Sequence, residues 1–187
     1  MKAIKFFVAA MAMAFAMNAN AKIFEDNHFM INANVGGIKG PFGYSEGGFG
    51  LGAGFQTTVY EGSWASLAWD VLQFEWNAPF DSPGDIDWVN FKTGIRAFSP
   101  SFAKDHLRVY TNFDLGYTNV LIKEIDRDYD DGVYTVEEEM KGHSAFGLAW
   151  GIGLQLNKKI SLGYTLVFAK FNFANTKGHY ATIAYTF

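Results

Sequence analysis

The 187-residue chain contains no cysteine. No disulfide framework can brace it, even in an oxidising compartment, and with no Cys behind the leader described below a lipid anchor on cysteine is excluded. Long apolar runs are missing too. Beyond the leader there is no stretch of about 18 apolar residues, so no segment reads as a membrane-spanning helix. Nor is there a surplus of positive charge. With Lys2 and Lys5 of the leader set aside, the 15 basic residues fall to 13 against 19 acidic ones, a balance of −6 that argues against nucleic acid or anionic phosphate as partner.

What is present starts with that leader. Lys2 and Lys5 precede an apolar run over 6–17 that is too short to span a bilayer, and Ala19-Asn20-Ala21 offers the small-x-small pattern a signal peptidase cuts after. Residues 1–21 therefore read as a secretory signal peptide, with a mature start at Lys22 and one domain over 22–187.

Behind it, period-two alternation recurs over segments about ten residues long, the length of a tilted membrane strand. In the clearest, Leu107, Val109, Thr111, Phe113, Leu115 and Tyr117 share one face and Arg108, Tyr110, Asn112, Asp114 and Gly116 the other. Val89, Phe91, Thr93, Ile95 and Ala97 likewise oppose Asn90, Lys92, Gly94 and Arg96. Six more segments follow the pattern, near 29–35, 49–60, 64–76, 146–154, 161–168 and 179–187. In the second, Tyr60 falls on the face of Gln56; in the third, Leu67, Trp69 and Val71 oppose Ser66, Ala68 and Asp70.

Connections at 61–63, 99–105 and 157–159 are short, whereas 36–48, 77–87, 119–142 and 171–177 are mostly longer. Short periplasmic turns and long extracellular loops are the habit of outer membrane barrels. Tyr60, Trp64, Trp76, Trp88 and Phe187 near strand ends suit two interfacial aromatic girdles. A soluble eight-stranded barrel would alternate equally well with its apolar face inward, and periodicity alone does not say which face is inside.

The strand from Leu107 to Tyr117, the Gly-rich stretch 146–156 and the ending Ala181-Thr182-Ile183-Ala184-Tyr185-Thr186-Phe187 carry a resemblance. Over 22–187 the chain resembles the small eight-stranded outer membrane barrels, of the outer membrane protein A transmembrane domain and outer membrane protein X type. The resemblance implies an all-β, antiparallel up-and-down transmembrane barrel, and a C-terminal strand read by the barrel assembly machinery up to Phe187.

Eight strands enclose a space that side chains can fill. The inward charges would be Asp70, Lys92, Arg96, Arg108 and Asp114. Counting back from the turn at 99–105 puts Lys92 near Asn112 and Asp114, Arg96 near Arg108 and Tyr110, and Asp70 close to both bases across the other hairpin. An ion-pair network is expected to plug the lumen, since charges withdrawn from water need partners. The inward glycines Gly50, Gly52, Gly54, Gly147, Gly151 and Gly153 leave volume unless Tyr110, Tyr180 or Trp64 reaches across.

Outer membrane lipid A deacylases and palmitoyltransferases use His with Ser or Asp. The nearest pair here is His143-Ser144, whose adjacent strand positions point to opposite faces. No catalytic residue and no cofactor is expected. Segment 119–142 carries eight acids against three bases, and reads as a hairpin turning at Asp130-Asp131-Gly132. Asp126, Asp128, Asp130 and Glu137 occupy positions 1, 3, 5 and 12 of a calcium loop, but the glycine required at position 6 comes one residue late, at Gly132.

The sequence thus reads as an integral barrel of the bacterial outer membrane, mostly plugged, with a structural or surface-interaction role. Its partners would be outer membrane lipid, lipopolysaccharide, the assembly machinery and a surface partner at 119–142, with no nucleic acid. A narrow porin-like conduit for small solutes is the second reading, and a lipid-modifying outer membrane enzyme the third.

Overall fold

Alternating side chains give a strand two unlike faces, and eight such strands can satisfy every backbone hydrogen bond only by closing on themselves. This is the architecture of the computed structural model, which describes residues 27–39, 45–81, 86–103, 106–130, 133–171 and 175–187, with backbone alone at 38–39, 45–46, 86, 122–130 and 133–140. The leader at 1–21 lies outside these residues. In chain order the strands are β1 (Asn27–Lys39), β2 (Ser45–Glu61), β3 (Ser66–Pro79), β4 (Ile86–Phe98), β5 (Leu107–Asp130), β6 (Val133–Leu156), β7 (Ile160–Lys170) and β8 (Asn175–Thr186). Each pairs antiparallel with the next, and β8 returns to β1, with Ile31 opposite Tyr185 and Val35 opposite Ala181. No helix among the described residues is long and apolar enough to cross a membrane.

The short connections lie at one end. Asn157 and Lys158 both take positive φ, 51° and 58°, while the Lys159 amide donates to the Leu156 carbonyl at 3.0 Å, the geometry that lets a tight turn follow strand twist. The β4–β5 turn is closed by Ser99 N to Val109 O at 2.9 Å and Phe102 N to Leu107 O at 2.8 Å. At the other end β5 and β6 outrun their neighbours. Pairing with β4 stops at Ile122 and pairing with β7 at Phe146, while the β5–β6 ladder runs on to Asp130 opposite Val133.

The two faces are sorted in the sense a bilayer demands. Phe113 is 51% and Leu162 55% exposed on the outside, whereas Asp70 is 0% and Asp114 1% exposed within. A barrel with apolar side chains outward and carboxylates inward is built for lipid, and the water-soluble alternative fails on this observation.

Two expectations need correction. Tyr60, expected inward beside Gln56, is exposed, because the β2–β3 register shifts between Phe55 and Gln56 and again between Thr58 and Tyr60. Trp88, expected in an aromatic girdle, is only 5% exposed and stacks edge-on with Phe171, 6.3 Å between centroids, inside the loop end of the barrel.

Candidate functional site

The lumen is the chemically distinctive part of the molecule. Asp70 on β3 is its hub. Arg96 on β4 donates to Oδ2 from Nη2 at 2.9 Å and from Nε at 3.1 Å, while Gln56 on β2 donates from Nε2 to Oδ1 at 2.7 Å. The Arg96 guanidinium lies 5.0 Å from the centroid of Tyr110 on β5, which brings a fourth strand into the layer. A second pair joins Lys92 Nζ to Glu75 Oε2 at 2.8 Å. Asp114 accepts from Asn112 Nδ2 at 2.7 Å on one oxygen, and its Oδ1 has no protein partner.

Of the five charges marked by alternation, Asp70, Lys92, Arg96 and Asp114 are buried and Arg108 is half-buried. Asp70 meets Arg96, and Arg96 meets Tyr110, as the count along the strands expects, whereas the other pairings differ. Lys92 lies opposite Gly116 and Arg96 opposite Asn112, so the register is displaced from the expected one. Lys92 takes Glu75 rather than Asp114 as its ion-pair partner, and Arg108 stands apart toward the turn end. There its Nε donates to Gln155 at 2.6 Å, and its guanidinium lies 3.7 Å from the Phe98 ring centroid.

Glu75, Gln73 and Asn77 are the lumen residues that a simple alternation misses. The β3–β4 register slips between Asp70 and Gln73, so the inward phase passes from Ser66, Ala68 and Asp70 to Gln73, Glu75 and Asn77. The signal was present: polar residues at 73, 75 and 77 alternate with Phe74 and Trp76.

The inward glycines are where large side chains pass. A Cβ on Gly153 would sit 2.6 Å from the Tyr110 ring, and one on Gly163 would meet the Tyr110 hydroxyl. Asn112 fills the space beside Gly151, and Asn77 and Asn34 that beside Gly50. Trp64 does not reach across; it is 74% exposed on the β2–β3 turn. Toward the loop end Trp88, Val120, Val167, Phe171 and Tyr180 pack with three alanines into an apolar cluster.

Among the described residues, small cavities lie inside the barrel. One of about 100 Å³ opens at the turn end beside Ser66, Ala68 and Arg108. Another, about 30 Å³, lies deeper among Gln73, Glu75, Lys92 and Asp114, a volume on the scale of one water. On β3, Asp70 sits between the residues lining the one and those lining the other.

The proposed calcium-loop residues fall on two paired strands, with Asp126 opposite Glu137 and Asp128 opposite Thr135; their side chains lie outside the described residues. Ser144 gives its hydroxyl to Asn119, and His143 pairs across the ladder with Val120.

No protein-family model matches the chain, and no curated protein matches it in sequence. Solved structures do match. The outer membrane enzyme PagL is 14% identical over 83% of this chain and 98% of its own, with a TM-score of 0.56. Neisserial surface protein A (NspA) is 12% identical over 86% of this chain and 97% of its own, with a TM-score of 0.50. Ail, the attachment invasion locus protein of Yersinia pestis, is 14% identical over 86% and 97%, with a TM-score of 0.48. At such identities the likeness is one of fold, that of the small eight-stranded outer membrane barrels. An enzyme and a surface protein share it, so the fold does not choose the role.

Proposed function

We propose that the chain is an integral protein of the bacterial outer membrane whose closed barrel serves a structural or surface-interaction role. The observation that carries this reading is the layer Gln56–Asp70–Arg96–Tyr110, contributed by four strands and lying between two cavities of about 100 and about 30 Å³. Charges paired this tightly in a narrow lumen fill it, whereas a conducting ring needs water between its members. The apolar cluster under the loop end adds a second closure.

The surface role rests on the β5–β6 hairpin. Beyond Ile122 and Ala145 its strands are paired, among the described residues, only with each other, and segment 119–142 carries a balance of −5. Such a strand pair offers edges to an extended segment of a partner. Outer membrane lipid and lipopolysaccharide would surround the wall, and the C-terminal strand ending at Phe187 would be the element handled by the assembly machinery. Liposome swelling tests the closed barrel: vesicles loaded with refolded protein should swell in small sugars and amino acids no faster than empty ones. Swelling that scales with the protein present would refute it in favour of the conduit.

A further inference from the structure

We propose that the turn end of the barrel binds a small oxyanion, a carboxylate or a phosphate, in the cavity beside Arg108. The chain as a whole is acidic, but the described lining of this cavity carries Arg108 and Lys158 against Glu61. Arg108 is the one half-buried base of the lumen with no carboxylate within ion-pair distance among the described residues. Neutral acceptors hold it instead, Gln155 through Nε at 2.6 Å and Ser66 through Nη1 at 3.3 Å, while Phe98 supports the guanidinium plane. A guanidinium carries five donors, and these two bonds leave three for a ligand.

Among the described residues, the only acid lining this cavity of about 100 Å³ is Glu61, and Lys158 already engages it at 2.9 Å. The rest of the polar lining is rich in donors. Thr186 is 4% exposed, and its hydroxyl has no protein partner although it borders the cavity; Thr58 and His28 add a further hydroxyl and a ring nitrogen. A buried hydroxyl without a protein partner beside an arginine with no carboxylate in contact describes a site for acceptor oxygens bearing negative charge. The volume admits a carboxylate or phosphate group, not a whole metabolite, so the ligand would be such a group alone or at the end of a longer molecule.

The test uses the full mature chain refolded in detergent micelles, with folding checked by the mobility difference between boiled and unboiled samples. The Arg108 Nε–H resonance is followed by NMR while sodium phosphate or sodium acetate is added at constant ionic strength. Saturable shifts are expected with at least one anion; the more tightly bound of the two gives the ligand class. Arg108→Gln should weaken binding about tenfold or more, read on neighbouring amides, while Arg108→Lys and Thr186→Val each weaken it less. A linear, non-saturating response in the wild-type protein would overturn the proposal. So would a folded Arg108→Gln or Thr186→Val variant that binds as well as wild type.

Discussion

Arg96 holds Asp70 by two nitrogens across the β3–β4 pair, at 2.9 and 3.1 Å, and the carboxylate is wholly buried. Either partner alone would be a stranded charge in a lumen with no bulk water. Asp70→Ala and Arg96→Ala should therefore each destabilise the barrel by about 3–5 kcal/mol. Replacing both at once, Asp70→Leu with Arg96→Met, should cost much less than the sum of the single changes. Urea titration of the folded fraction in lipid vesicles, read by gel mobility, measures all three.

Asp114 should behave differently. It has one hydrogen bond, from Asn112, and no base within ion-pair distance among the described residues. Asp114→Asn keeps an acceptor for Asn112 and removes a charge, so stability should change by less than about 1 kcal/mol. Asp70→Asn in the same assay should be several times more costly.

Tyr110 and Gly153 are a matched pair, the ring lying where a Cβ on Gly153 would go, at 2.6 Å. Gly153→Ala should cost about 1–3 kcal/mol through overpacking against the ring and the Leu162 carbonyl. Tyr110→Ala should cost about 3–5 kcal/mol through the space it empties. The same titration separates the two, and Gly153→Ala with Tyr110→Ala should be less than additive.

Much of the fold was legible in the sequence because strand periodicity needs only local composition. The turn at 157–159 falls between β6 and β7, and Leu107 to Tyr117 keeps one phase throughout. The parts that were not legible depend on register. A slip between Asp70 and Gln73 transfers the inward phase to odd positions, and only the full alternation of 73–77 betrays it. The β4–β5 register is set by the Ser99 and Phe102 hydrogen bonds that close the turn, which strand patterns do not encode, so Lys92 pairs with Glu75 and Arg108 stands apart from Arg96, while Arg96 still meets Tyr110 and Asp70. Trp88 looks like a girdle residue by its place near a strand end, yet its even-numbered phase with Asn90 and Lys92 puts it inside.

The lipid-facing wall makes its own prediction. Phe113, half-exposed on the outside of β5, should tolerate Leu, whereas Phe113→Arg should cost about 2–4 kcal/mol if the site lies near the bilayer midplane. Vesicle titrations in urea report this, and an Arg as well tolerated as Leu would mean that this face is not in lipid.

The central claim is that the Asp70–Arg96 layer closes the lumen, and single-channel recording in planar bilayers meets it head on. Mature protein shown to be folded by gel mobility should insert and give no ion steps above the bare membrane. Stable steps from the wild-type barrel that change amplitude in Arg96 or Asp70 variants would contradict it, and would make those residues the lining of a pore.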